Sequence, residues 1–335
     1  MRKLILISSS LFFLIITVNA QQGNFPKFTG PYLGQKPPGM TPEIFAQGIL
    51  STGLYTRDIA NSKSGDEIYF CVSDIAVTAI FMTKLINDQW TEPAIAQFSG
   101  KGFLDMEPHI SPDGNKFFFL SNRPPHNLEP RNGWSYQNIW MMTKIENGWS
   151  EPQLVDKPIS TDENEFFPSV TSDDMLYFTR GKKNGIIRIY KSKLNNSCYE
   201  EPEILPFNLP QKGLLFNAFI SPNEDYLITC ALYIDSTNVD QDYYISFKKK
   251  NGKWSDLIKF GPEINTPNDN ANSAYVSRDN KYLFFSSSRR DTSKPEFKSG
   301  TKLKTIINSK SEPGYGSSAI YWVSAKIIEE LRPKE

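Results

Sequence analysis

The sequence predicts an all-β fold, a β-propeller of four-stranded blades, five blades rather than six, closed by a strand from its N-terminal part. Three observations predict it. One order of signals recurs five times along the 335 residues, at intervals of 49, 60, 50 and 56. Each copy reads as short aromatic and β-branched runs separated by turn residues. Aromatic residues make up 13% of the chain, which suits a core built between small stacked sheets.

The clearest copy is Glu107-Pro108-His109-Ile110-Ser111-Pro112-Asp113-Gly114-Asn115-Lys116-Phe117-Phe118-Phe119-Leu120-Ser121-Asn122-Arg123. Its strand one ends at Ser111, and the equivalent anchors are Ser62, Thr171, Ser221 and Ser277. Pro-Asp-Gly suits the tight turn that follows, because proline presets φ, the carboxylate caps local amides and glycine accepts positive φ. Ser64-Gly65, Asp173-Asp174, Asn223-Glu224 and Asp279-Asn280 stand in the other copies. Strand two is Ile68-Tyr69-Phe70, Phe117-Phe118-Phe119, Leu176-Tyr177-Phe178, Tyr226-Leu227-Ile228 and Leu283-Phe284-Phe285. Strand three begins at Ile80, Ile139, Ile189, Tyr244 and Ile320, and strand four follows a Trp/Tyr-x-Glu-Pro signal at Trp90, Trp149 and Tyr199, degenerate at Trp254.

A four-stranded sheet cannot bury both faces alone, so copies must stack, and closing the ring removes the unpaired ends. Pro42-Glu43-Ile44-Phe45-Ala46 looks like a fourth strand without its first three, and is expected to complete the last sheet beside Ile320–Val323. Ile327–Leu331 competes for that place or forms a short terminal helix.

The remaining segments bound the class. Arg2 and Lys3, an apolar run to Val18 and Val18-Asn19-Ala20 read as a signal peptide over residues 1–20, cleaved after Ala20. At about 15 residues the run is short for a spanning helix. No cysteine lies near the cleavage point, which argues against a lipoprotein. Residues 21–41 form an N-terminal extension and 42–335 one propeller domain. With 37 basic and 37 acidic side chains, the chain lacks the footprint of a nucleic-acid binder. Cys71 and Cys230 lie in apolar runs and read as buried, inert thiols; Cys198 lies in a polar turn. His109 and His126 have no ligand-spaced partners, so neither metal nor cofactor is expected. Asp162-Glu163-Asn164 and Asn268-Asp269-Asn270 read as turns rather than calcium loops.

These repeats resemble those of the TolB-like propellers, a WD-like repeat family of exported bacterial proteins with Ser-Pro-Asp-Gly turns. The resemblance runs over about residues 42–324, strongest in the second copy and weakest in the first and fourth, where Pro-Asp-Gly is lost. It implies a periplasmic, surface or secreted propeller that binds other proteins or envelope components, and no catalytic residue. Neither the hydrolase domain of propeller peptidases nor an OmpA-type domain is expected, and no Gly-x-Ser-x-Gly occurs in the sequence.

Blade topology places the start of strand one and the end of strand two on one face. Asp58, Glu107, Glu165, Asn217 and Asn272 are expected to ring the channel mouth there, with Arg123, Arg180 and Arg289 ending strand two nearby. Three uses are open: ion pairs within blades (Glu107 with Arg123, Glu165 with Arg180), a grip on a polar or anionic ligand, or glycoside hydrolysis by Asp58, Glu107 and Glu165. Two long loops share the face. One, 122–137, carries His126, Trp134 and Tyr136, where the two aromatic rings either stack on a ligand or pin the loop; the other, 290–317, is basic, contains Tyr315 and reads as a mobile flap. The expected function is a monomeric, exported, non-enzymatic platform for an envelope protein or glycan. The alternative is a carbohydrate-active hydrolase or lyase.

Overall fold

A computed structural model describes residues 25–74, 77–126, 128–232 and 240–334. The expected signal peptide lies outside them. Five antiparallel sheets follow one another along the chain, and each is a blade of a five-bladed propeller. The inner strands are Thr56–Asn61, Asp105–Ile110, Asn164–Val170, Leu214–Ile220 and Ala274–Val276. The fifth blade takes its outermost strand from Glu43–Ile44, with Glu43 opposite Trp322 and Ile44 opposite Tyr321. The N-terminal strand therefore closes the ring, and Lys326–Glu330, just before Leu331, forms a short helix instead.

Each anchor hydroxyl explains its own position in the repeat. The side-chain oxygens of Ser62, Ser111, Thr171, Ser221 and Ser277 accept the N–H of the first residue of strand two, from Glu67, Lys116, Met175, Tyr226 and Tyr282, at 2.9–3.1 Å. Ser111 and Thr171 also donate to Asp113 and Asp173 in the turn, at 2.5 and 2.6 Å. Only Ser or Thr can make both bonds from so short a side chain. The turn then passes through the left-handed region at Gly65, Gly114, Asp174, Glu224 and Asn280.

The Glu-Pro signal acts differently from a simple strand opener. Strand four pairs at Gln89–Trp90, breaks, and pairs again at Ala94–Ile95, and the second and third blades repeat the break at Pro152 and Pro202. Proline has no N–H for the ladder, and an edge strand tolerates the gap.

The core lies between blades. Tyr69, Cys71 and Ile80 of the first blade pack with Ile110, Phe117 and Phe119 of the second. The cluster at the closure joins blades four, five and one with Leu33 and Phe45 of the N-terminal segment. Phe45, fully buried, meets Phe284 edge-on at 5.0 Å and Trp322 at 5.1 Å. Residues before Pro42 belong to the same packing: the Trp90 indole donates to the Gly30 carbonyl at 2.8 Å, and Tyr32 lies against Tyr282, Phe284 and Trp322.

Candidate binding face and the buried channel cluster

Strand one is not a straight strand in four of the blades. A bulge sits four residues before the anchor, where Asp58, Glu107, Phe167 and Asn217 take φ of 51–59°. It turns a backbone N–H toward the preceding blade. Glu107 N–H is donated to Asp58 Oδ2 at 3.3 Å, Phe167 N–H to Glu107 Oε2 at 2.7 Å, and Asn217 N–H to Thr179 Oγ1 at 2.8 Å. Across the closure, Asp58 N–H is donated to Ser273 Oγ at 3.1 Å. The carboxylates of Asp58 and Glu107 and the hydroxyl of Ser273 at this position, with the Thr179 hydroxyl of strand two, thus hold neighbouring blades together around the axis.

The bulge corrects the expected ring of leading residues. Glu165 lies two residues before the bulge, and Phe167 occupies the place equivalent to Glu107. In the fifth blade that place is held by Ser273, not Asn272. The guanidinium at the axis is Arg57, which sequence reasoning passed over. It donates from Nε to Asp58 at 2.9 Å and from Nη2 to Glu107 at 3.1 Å. Burial would lower its basicity, but these two carboxylates hold it protonated above the ordinary arginine value. Burial, reinforced by the Asp58 charge, pushes the Glu107 carboxyl up to about 7 against the opposing pull of Arg57.

Arg123, Arg180 and Arg289 do not reach into the channel. Each is folded back into its own blade and performs one repeated structural task. Arg180 Nε donates to Glu165 at 2.8 Å and its Nη2 to the Ile159 carbonyl at 2.7 Å, while its guanidinium covers Tyr190 at 4.9 Å. Arg123 pairs with Asp105, donates to the Phe98 carbonyl at 2.7 Å and covers Phe103 at 4.9 Å. Arg289 lies 3.7 Å from Asp269, donates to the Glu263 and Ile264 carbonyls and covers Tyr321 at 4.8 Å. The expected Glu165–Arg180 pair forms, whereas Arg123 takes Asp105 instead of Glu107, because the bulge aims Glu107 at the axis. Asp269, in the turn read from Asn268-Asp269-Asn270, also accepts Ser288 N–H at 2.6 Å.

The axis itself is nearly filled. A cavity of about 20 Å³ lies among Asp58, Glu107, His109, Phe167, Phe219 and Tyr275, room on the scale of one water and far below a sugar ring. His109 Nε2 accepts Val170 N–H at 3.0 Å, and burial together with the Arg278 charge pushes the imidazole down to about 3, so it is neutral. Arg278 closes the turn-side end by donating to the Asn61, Ser111 and Ile110 carbonyls at 3.3, 3.0 and 2.8 Å. Its signal was faint: it is the one anchor followed by arginine. Cys71 and Cys230 are buried, and burial pushes both thiols up.

The loop aromatics pin their loop. Trp134 packs on the cluster between the first two blades, and Tyr136 donates to the Glu129 carbonyl at 3.0 Å beneath Arg131. His126 lies on the surface, 3.4 Å from Asp156. Among the described residues no group of three or more His, Cys, Asp and Glu side chains could hold a metal ion. The 290–317 loop departs from the expected flap, since it contains a two-turn helix, α1 (Leu303–Ser309), and a parallel stack of Phe297 on Tyr315 at 5.4 Å. Beside the start of that loop, a groove of about 890 Å³ runs along the outside of the fifth blade. Phe28, Ile44, Ile49 and Tyr321 give it apolar walls, with Glu43, Gln47 and Arg290 as polar groups.

No family model matches the chain. No curated protein matches it either. Many solved structures match the chain. A TolB-type protein from Agrobacterium tumefaciens is 12% identical, with a TM-score of 0.47, over 81% of this chain and 90% of that one. TolB from Acinetobacter baumannii is 13% identical, TM-score 0.46, over 81% of this chain and 57% of that one, so the chain spans little more than half its length. An exo-1,5-alpha-L-arabinanase from a bovine ruminal metagenomic library is 14% identical, TM-score 0.47, over 81% of this chain and 94% of that one. At this identity the likeness concerns the propeller fold alone. No helix among the described residues is long and apolar enough to cross a membrane.

Proposed function

We propose that the protein is an exported propeller that binds an envelope protein or glycan, without transforming it, on the loop-bearing side of its fifth blade. One observation carries this reading. The carboxylates that could serve sugar hydrolysis are turned inward and already bonded: Asp58 and Glu107 to Arg57 and neighbouring backbone, Glu165 to Thr161 and Arg180. A glycosidase needs an acid and a second carboxylate flanking an open cleft. The groove of the fifth blade offers what an extended polymer needs instead, apolar walls beside a few exposed hydrogen-bonding groups.

The test is a pull-down from envelope extract together with a glycan array, run with the wild type and with Gln47→Ala/Arg290→Ala. A partner captured by the wild type and lost by the groove variant supports the proposal. Cleavage of a polysaccharide by the wild type that Glu107→Gln abolishes overturns it, as does capture that the groove variant leaves unchanged.

A further inference from the structure

Helix α1 displays apolar side chains that the fold does not use. Leu303 is 70% exposed and Ile307 58%. Four residues apart on a helix, they lie on one face, one turn above the other. Phe297, 40% exposed, adds a third large apolar group from the same loop. Isolated apolar residues are ordinary on a protein surface, but an exposed helical pair, with a further exposed ring, stacked on Tyr315, in the same loop, is more than a scatter of single residues.

The charges around this patch are mostly basic, with Glu296, next to Phe297, and Glu312, paired with Lys294, as the exposed acids flanking it. Residues 297–310 contain four lysines, Lys298, Lys302, Lys304 and Lys310, all exposed, and no aspartate or glutamate. The loop is also anchored at both ends. Asp291 N–H is donated to the Gly314 carbonyl at 2.9 Å, Lys294 pairs with Glu312 at 2.7 Å, and Ser309 is buried. The carbonyl of Lys310 lies so close to Gly53 that a Cβ there would come within 1.5 Å of it. Only glycine allows the helix to seat against the segment leading into the first blade. The patch is thus held in position by the propeller while its apolar side chains point outward.

We propose that helix α1 and Phe297 form a docking tip for an anionic phospholipid surface. Leu303, Ile307 and Phe297 enter the boundary between headgroups and acyl chains, and the lysines meet the headgroup phosphates. A short helix with one apolar face and a lysine rim matches the demands of interfacial binding. A protein partner would have to supply a pocket for each projecting side chain, whereas acyl chains accommodate them individually. This inference goes beyond the platform reading, involves different residues from the groove, and stands or falls separately from it.

The full chain is tested by sedimentation with vesicles of phosphatidylcholine alone and of phosphatidylcholine mixed with phosphatidylglycerol. The wild type should pellet with the mixed vesicles, and less so as salt rises. Lys302→Gln/Lys304→Gln should weaken partitioning roughly fivefold for each charge removed. Leu303→Asp/Ile307→Asp should abolish it while leaving the melting temperature unchanged, since both residues lie on the surface. The proposal is overturned if the wild type stays in the supernatant with mixed vesicles, if the variants pellet equally, or if the patch captures only an acidic polypeptide.

Discussion

Glu107 of the second blade accepts the backbone N–H of Phe167 in the third blade at 2.7 Å, while its other oxygen takes Arg57 of the first blade at 3.1 Å. One buried carboxylate therefore connects three blades at the axis. Sheets that touch mainly through apolar faces can slide; a hydrogen bond with a defined acceptor sets their relative height.

The cluster makes stability depend on pH in a definite direction. Glu107 titrates in the folded state at about 7, above the ordinary carboxylate range, so the folded protein holds a proton there that the unfolded chain has lost. That contribution is present below the ordinary glutamate value and fades as pH rises toward 7. His109 works in the opposite sense: its folded value of about 3 lies below that of free imidazole, so its contribution is present above about pH 6.5 and fades as pH falls toward 3. Urea midpoints taken between pH 4.5 and 7 should rise more steeply with pH in Glu107→Gln than in the wild type. An unchanged slope would show that Glu107 does not titrate as described.

Removing Arg180 leaves Glu165 buried without its cation and the Ile159 carbonyl without its donor. Arg180→Met should cost about 3–5 kcal/mol, the range for breaking a buried ion pair from one side. Arg180→Lys should recover only part of this, because an ammonium cannot reach the carboxylate and the loop carbonyls with a planar fork. Chemical denaturation of the two variants separates loss of charge from loss of geometry. A ligand-gripping arginine would instead change affinity and leave stability alone.

The closing strand should be tested at Phe45. Phe45→Ala empties a fully buried site between Phe284 and Trp322, and the expected loss is about 3–5 kcal/mol. Leu54→Ala, at an exposed position close in sequence, should change stability by less than about 0.5 kcal/mol. Equal effects at the two positions would mean that the N-terminal segment does not hold the ring shut.

Ser111→Ala removes the acceptor for Lys116 N–H and the donor to Asp113. The expected cost is about 1–3 kcal/mol, and Ser111→Thr should restore most of it, since Thr171 fills the same place in the third blade. Thermal melts of the pair decide whether the hydroxyl or merely the small size of the anchor matters.

The candidate site was legible in its residue types and illegible in its partners. Asp58, Glu107 and Glu165 stood out as carboxylates opening inner strands, and Arg123, Arg180 and Arg289 as cations ending the next strands. A bulge is a change of register by one residue, and no residue type announces it when Asp, Glu, Phe and Asn all occupy the position. Its effect is large, because a one-residue shift moves every side chain beyond it to the other face of the strand. That is why Glu107 turned from Arg123 toward Arg57, and why Asp105 took the place expected for Glu107. Helix α1 escaped notice for a related reason: Lys-Leu-Lys-Thr-Ile-Ile is too short to show a helical period amid serine and glycine.

What the chain alone determined is the repeat: an anchor hydroxyl, a left-handed turn and an aromatic strand, five times, with a spare strand at the front. These are local demands, set by φ, by hydrogen bonds a few residues apart and by the need of each small sheet to cover its apolar faces. Which arginines turn back into their blades depends on partners 15–26 positions away, as Arg180 and Glu165 or Arg289 and Glu263 are, and which groups meet across the axis depends on residues 50 or 60 apart, as Arg57 and Glu107 or Glu107 and Phe167 are. Only the closed ring brings those together, because distances between blades are fixed by packing and have no counterpart in the order of the residues.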